Sequence, residues 1–292
     1  MSQSLAHDAK LQARSGPRSI VVGVDGSAAS LDALRWAVGL AGFSGTPVSA
    51  VHAFTPSYAE VSPPQYELLQ AEAAQMLGVW CAEAGVAESV DPFVVGGGPG
   101  ALLSVVHQTD LLVVGTRGDY GVAHLHIGSV AHHLVHHTSV PLAIVPARVA
   151  GDRVSRIVIG VDGSVGSGAA VTFAASLARA LDATVVVVHA AEPGTEVPVV
   201  ARVREWVAPL EAEGVGFEVE ISTDVGPVEA MCRAIAAKPD TLAVVGTRGL
   251  GGFSGLRLGG VATHLAHTCD VAVALVPAHH EPPVREDVAG LT

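Results

Sequence analysis

The sequence predicts an α/β protein built from two doubly wound domains in tandem. Three observations carry that prediction. The chain has 292 residues, about twice a common domain size. It repeats itself: RSIVVGVDGS (18–27) matches SRIVIGVDGS (155–164), and VVGTRGDYGVAHLHIGSVA (113–131) matches VVGTRGLGGFSGLRLGGVA (244–262). Each copy alternates short apolar runs, such as VVVV at 185–188, with longer amphipathic stretches. That is the pattern of parallel strands covered by helices on both faces.

The opening strand and the VHA segment repeat at an offset of 137, the GTRG loop and the closing strand at 131. Six residues are therefore lost between the second strand and the loop, and each repeat is a domain rather than a solenoid unit. The domains are placed at 18–147 and 155–278, with a connector at 148–154 and flexible tails at 1–17 and 279–292. In the first domain, strands are expected near 19–24, 48–53, 90–95, 111–115 and 141–146, and helices near 28–42, 64–85, 99–108 and 129–138. In the second, strands are expected near 156–161, 184–189, 216–222, 241–246 and 271–276, and helices near 165–181, 197–213, 226–237 and 260–268. A connector this short predicts that the domains sit against each other.

Composition narrows the function. Apolar residues make up 49% and charged residues 15%, a core-rich globular balance. No apolar run reaches the ~18 residues of a membrane span, and the N-terminus lacks the apolar core of a signal peptide. A cytoplasmic location is expected. Cys81, Cys232 and Cys269 show no metal-binding spacing and read as reduced thiols. Net charge is −12, with only Lys10 and Lys238 as lysines, and no basic patch offers itself to nucleic acid. A small anion held by helix ends and backbone amides remains compatible with that charge.

Four features fall at strand carboxyl ends in each half, where such sheets bind ligands. They are Asp25 and Asp162 in GVDGS; His52-Ala53 and His189-Ala190; the GTRG glycines, Gly115 with Gly118 and Gly246 with Gly249; and Gly128-Ser129 and Gly259-Gly260 opening the last helix. Glycine permits close backbone approach and positive φ. Amides at a helix start, with a hydroxyl, suit a phosphate. An aspartate at the first strand's exit can accept from ribose hydroxyls. Together these parts describe a nucleotide site. Against it stands the reading in which the glycines only make tight turns, which leaves unexplained the nine-residue spacing before the helix-opening glycine, present in both copies.

GVDGS, the VHA segment and G-x2-G-x9-G-S/G closely resemble the ATP-binding class of universal stress proteins, over nearly the whole chain and in two copies, as in actinobacterial members. The resemblance implies Rossmann-like five-stranded sheets of order 3-2-1-4-5 with ATP at each switch point. It implies nucleoside contacts from Asp25 and Asp162, main-chain adenine contacts from Ala53 and Ala190, and phosphates, with Mg²⁺, on the glycine loops and Ser129. The implied site set is Gly23, Val24, Asp25, Ala53, Gly115, Arg117, Gly118, Gly128, Ser129 and Val130 in the first half. In the second it is Gly160, Val161, Asp162, Ala190, Gly246, Arg248, Gly249, Gly259, Gly260 and Val261. Pairing of the two domains through their last strands, a homodimer and a regulatory protein partner are further implications.

The halves depart from the pattern in two places. Gly260 stands where the motif has Ser or Thr, so a hydroxyl is lost while the amide remains. Asp119-Tyr120 follows the first GTRG where Leu250-Gly251 follows the second. His126 and Arg257 correspond, each two residues before the helix-opening glycine, and His126 is a candidate pH-dependent phosphate contact. GSVGSGAA (163–170) lacks the lysine of a Walker loop, no G-x-S-x-G elbow is present, and no motif identifies a general base. No catalytic residue is assigned, and turnover is expected to be slow or absent. The expected role is nucleotide-dependent regulation of stress response or growth; an ATP-hydrolysing or phosphotransfer enzyme, or a scaffold with degenerate sites, are the alternatives. His124, His126, His132, His133, His136 and His137 crowd the first half. They are read as a polar helix face rather than a metal site, although 132/136 and 133/137 are i,i+4 pairs. Trp36 is assigned to the core.

Overall fold

The computed structural model describes residues 16–55, 62–107, 110–116, 128–147, 153–192, 196–236, 238–250 and 258–280. The first domain runs β1 (Ile20–Gly23), α1 (Ala28–Ser44), β2 (Val48–Phe54), α2 (Pro63–Glu83), β3 (Asp91–Gly96), a 3₁₀ helix (Pro99–Ser104), β4 (Leu111–Gly115), α3 (Ser129–His137) and β5 (Leu142–Val145). The second runs β6 (Arg156–Gly160), α4 (Val165–Leu181), β7 (Thr184–Ala190), α5 (Glu196–Trp206), α6 (Ala208–Ala212), β8 (Phe217–Ser222), α7 (Pro227–Ile235), β9 (Thr241–Gly246), α8 (Gly260–Thr268) and β10 (Ala272–Val276).

Each half has the order 3-2-1-4-5, all parallel, but the two halves do not form separate sheets. They merge into one ten-stranded sheet, β3-β2-β1-β4-β5-β10-β9-β6-β7-β8. The seam is antiparallel, with Val273 opposite Ile144 and Leu275 opposite Leu142. Both last strands are buried on both faces, so each needs a neighbour on its open edge, and the tandem chain supplies one internally. The outer edges are β3 and β8. Pro92 interrupts donation along β3, and Glu218 and Glu220 alternate along β8, devices that discourage further strand addition.

The helices form two layers. One apolar layer runs beneath α1, α2, α4, α5 and α6, through Ile20, Val22, Leu34, Leu77, Ile157, Leu177 and Val203. The other lies beneath the 3₁₀ helix, α3, α7 and α8, through Val21, Leu112, Leu134, Val158, Met231 and Leu265. Successive β1 residues feed opposite layers, as the strand period of two requires. Trp36 is 3% exposed and belongs to the first layer. α1 and α4 pack against each other across the domain boundary.

Two expected helices differ. The helix expected near 99–108 is a short 3₁₀ helix over Pro99–Ser104, with 105–107 outside it, because Gly100 and the β-branched Val105-Val106 weaken a longer α-helix. The stretch 197–213 breaks at Val207 into α5 and α6. Pro209 has no N–H and its ring would clash with the Glu205 carbonyl, so the break falls where an uninterrupted helix would need both. Among the described residues no helix is long and apolar enough to cross a membrane. The three cysteines are free, Cys81 buried and the other two half-buried.

Candidate functional site

In the second domain the strand carboxyl ends enclose a cavity of about 470 Å³. Gly160, Val161 and Asp162 supply its first-strand side, His189 and Ala190 its second-strand side. Arg248 and Gly249 follow β9, Gly259, Gly260 and Val261 open α8, and Pro227, Val228 and Met231 of α7 close the remaining wall. All ten second-domain residues named from the sequence line this one cavity.

Local chemistry explains the arrangement. Ser164 caps α4 by accepting from Ser167 N at 3.1 Å, and Ser27 caps α1 from Ser30 N at 3.2 Å. Each cap starts its helix directly after the strand-one aspartate. The Asp162 carboxylate accepts from Ser164 N at 3.0 Å and from Leu250 N at 2.8 Å. It therefore ties the first-strand turn to the glycine loop. Partial burial pushes its pKa up, but the hydrogen bonds from Ser164, Leu250 and Ser167 outweigh it and hold the carboxyl below its ordinary range.

The nine-residue spacing also has a physical basis. Gly259 N donates to Thr247 O at 2.7 Å and Gly128 N to Thr116 O at 2.6 Å. Each threonine N in turn donates to the last strand, Thr247 to Val276 O at 2.9 Å and Thr116 to Val145 O at 3.0 Å. Both ends of the loop are thus pinned at one point above the sheet. Past that point the first N–H groups of α8 have no intrahelical partner, and they open onto the cavity.

The glycines serve different ends. A Cβ on Gly246 would meet the Gly166 backbone at 2.5–2.6 Å, and one on Gly115 the Ala29 and Ser30 backbone at 2.6–2.9 Å. These two are glycines because the helix start packs on the strand end. A Cβ on Gly249 would collide with the Asp162 carboxylate, whereas one on Gly260 meets nothing within 4 Å. None of these four has positive φ, so close approach, not left-handed backbone, is what they provide.

The sequence reading passed over two tryptophans. His52 Nδ1 donates to Val24 O at 2.8 Å, and His189 Nδ1 to Val161 O at 2.8 Å. Each imidazole stands edge-on to a tryptophan of its own domain, His52 to Trp80 at 5.1 Å and His189 to Trp206 at 5.4 Å. Trp80 lies over Gly26 and Trp206 over Gly163, glycines at φ +83° and +81°. The signal was available: one tryptophan near the end of each half's second helical segment. Trp206 lies 126 residues after Trp80, off both repeat offsets, because the second half is shorter between its second strand and this tryptophan, and that hides the match.

In the first domain Gly23, Val24 and Asp25 leave β1, Ala53 sits in β2 and Gly115 ends β4. Asp25 accepts from Ser27 N at 3.1 Å and Ser27 Oγ at 2.6 Å. Gly128 caps α3, and Ser129 and Val130 line a shallower cavity with Gly98, Gly100, Ala101 and His133. Arg117, Gly118, Asp119, Tyr120, His124 and His126 lie outside the described residues, as do Gly251 and Arg257. Pairing of the His126 and Arg257 positions with a phosphate therefore has no geometry here.

A parallel α/β sheet with an acceptor carboxylate at its first-strand exit and a glycine loop leading to an open helix start defines a doubly wound α/β class with a cavity at its strand carboxyl ends. The family model described as the universal stress protein family matches twice, over residues 17–146 and 153–277, and the chain belongs to that family. A universal stress protein of Mycolicibacterium smegmatis is 26% identical over 88% of this chain and 96% of its own length. A universal stress protein of Mycobacterium tuberculosis is 28% identical over 88% and 95%. The crystal structure of a universal stress protein from Archaeoglobus fulgidus DSM 4304 superposes with a TM-score of 0.70 at 18% identity, covering 90% of this chain and 99% of that one.

Proposed function

We propose that the second-domain cavity binds an adenine nucleotide, ATP with Mg²⁺ on its phosphates, and that the protein is a nucleotide-dependent regulator rather than an enzyme. The supporting observation is the convergence of Gly160–Asp162, Ala190, Gly246, Arg248, Gly249 and Gly259–Val261 on one cavity of about 470 Å³, within the usual range for such ligands. In this reading the end of β7 at Ala190 faces the base. Asp162 stands at the exit of the first strand, where its carboxylate accepts from the ribose hydroxyls. Its depressed pKa keeps it ionised and acceptor-only at neutral pH.

The open start of α8 and the unobstructed space at Gly260 suit the phosphates, and the exposed Arg248 adds a permanent positive charge at the rim. Among the described residues Asp162 is the only carboxylate lining the cavity. That fits Mg²⁺, which keeps several waters, takes phosphate oxygens and needs few protein ligands. When bound it neutralises phosphate charge. A homodimer or a regulatory partner would dock elsewhere than on β5 and β10, which pair with each other.

Titration calorimetry of the full-length chain with Mg·ATP tests the reading. Gly249→Asp forces a side chain into Asp162 and sets a second carboxylate beside it, so one equivalent per chain should be lost with the fold retained. Unchanged stoichiometry and affinity in that variant would overturn the assignment. A wild-type chain that binds no nucleotide would favour a scaffold.

A further inference from the structure

α3 carries four histidines in six residues, His132, His133, His136 and His137. Helical spacing stacks them in two pairs one turn apart. The ring centres of His132 and His136 lie 4.6 Å apart, those of His133 and His137 4.4 Å. His132, His133 and His137 are exposed and His136 half-buried.

We propose that α3 is a transition-metal site, in which each pair forms a two-nitrogen chelate for a divalent ion of the Ni²⁺ or Cu²⁺ class, with water completing the coordination. An imidazole nitrogen bonds such an ion at about 2.0–2.1 Å and the ring centre lies roughly 1 Å further back, so these separations subtend roughly 90° at a shared ion. Rotation about each Cβ–Cγ bond leaves the ring centre nearly in place and aims a nitrogen at that point. Adjacent ligands at such an angle suit square-planar or octahedral fields better than tetrahedral zinc. Among the described residues no group of three or more His, Cys, Asp or Glu side chains is assembled for a metal, which is why water fills the other positions.

The surroundings favour a cation. His136 and His137 occupy the last turn of α3, where the helix dipole is negative, and the chain carries a net charge of −12. The second domain offers an internal contrast. α8 has Thr263, His264, His267 and Thr268 at the matching positions, so each pair is reduced to a single histidine. Thr263 Oγ1 donates to Gly259 O and Thr268 Oγ1 to His264 O within the helix. Threonine is therefore compatible with the fold at these places.

The experiment is titration of nucleotide-free, full-length protein with NiCl₂, followed by calorimetry, and with CuCl₂, followed by nitrogen hyperfine structure in electron paramagnetic resonance. Two equivalents are expected. His132→Thr and His137→Thr, which copy the second domain, should each remove one, and the double variant should bind at least tenfold more weakly with its helix content unchanged by circular dichroism. No binding by the wild type, or full binding by the folded double variant, would overturn the proposal. Because only the metal is added, either result is independent of the nucleotide reading.

Discussion

The two domains match down to single hydrogen bonds where the fold is built and differ where a ligand would lie. Both place a histidine Nδ1 at 2.8 Å from the strand-one carbonyl, a tryptophan edge-on to that histidine and a left-handed glycine under the tryptophan. Both strand-one aspartates accept from the serine two residues on. Around the loops the domains diverge. α7 is a nine-residue helix where the first domain has a six-residue 3₁₀ helix. Ser129 faces Gly260 in the repeat, and paired histidines face threonines. Duplication has kept the scaffold and let the ligand-facing groups drift, so the two sites should respond differently to the same ligand.

The largest expected effect tests the shared part. Gly26→Ala and Gly163→Ala each add a Cβ that is strained at positive φ and collides with an indole. Each should cost roughly 2–4 kcal/mol, combining backbone strain with overpacking, and the two costs should agree within about 1 kcal/mol. Urea unfolding measures both. Tolerance of alanine in one domain alone would mean that the scaffolds are not equivalent.

Much of this was legible in advance, for identifiable reasons. Buried parallel strands such as β9 and β10 are continuous apolar runs, and GVDGS and the GTRG loops mark the strand exits by composition alone. The antiparallel seam was not legible as a register, because Ile144 and Val273 look like any buried strand residues; the pairing through last strands came from resemblance. That Gly115 and Gly246 also let a helix start pack on the strand end was not legible, since a sequence does not show that a helix start lies against them. The stacked tryptophans were hidden because Trp206 lies 126 residues after Trp80, off both repeat offsets, and the break at Val207 follows separately from Pro209 two residues on.

A second test concerns Asp162. Its folded pKa is lowered, so its contribution to stability is fully present above the unfolded value of about 3.9 and is lost as pH falls through the folded value. Asp162→Asn should therefore be less stable than wild type near neutrality, with the gap narrowing only below about pH 4. Urea midpoints taken from about pH 7 down to about pH 2 follow it. A gap that narrows already between about pH 7 and pH 5 would point to another titrating group.

Gly260→Ser sharpens the comparison at the phosphates. The space at Gly260 is open, and serine there would restore the hydroxyl that Ser129 supplies in the first domain. One added hydrogen bond is worth about 0.5–1.5 kcal/mol, or roughly a two- to tenfold gain in ATP affinity at the second site. Titration in a Ser129→Gly background, which removes the counterpart, isolates that gain. Equal or weaker binding would mean that phosphates do not lie against this helix start.

The smallest expected effect lies at the end of the first helix in each domain. α1 ends on Gly45 at φ 72°, with its N–H on Ala41 O. α4 ends on Asp182 at φ 55°, with its N–H on Ala178 O. The geometry is the same left-handed cap, yet only one domain uses the residue that adopts it without steric cost. Asp182 is exposed and aspartate is among the side chains that tolerate this region, so the penalty is modest. Glycine would remove it while losing more backbone entropy on folding. The balance predicts that Asp182→Gly stabilises the protein by about 0.5 kcal/mol, which for a domain of this size raises Tm by roughly 2 °C. Gly45→Asp should shift Tm by a similar amount in the opposite direction. Calorimetry of the two variants side by side checks the pair, and a lower Tm for Asp182→Gly would show that the aspartate side chain, not only its backbone, holds the end of α4.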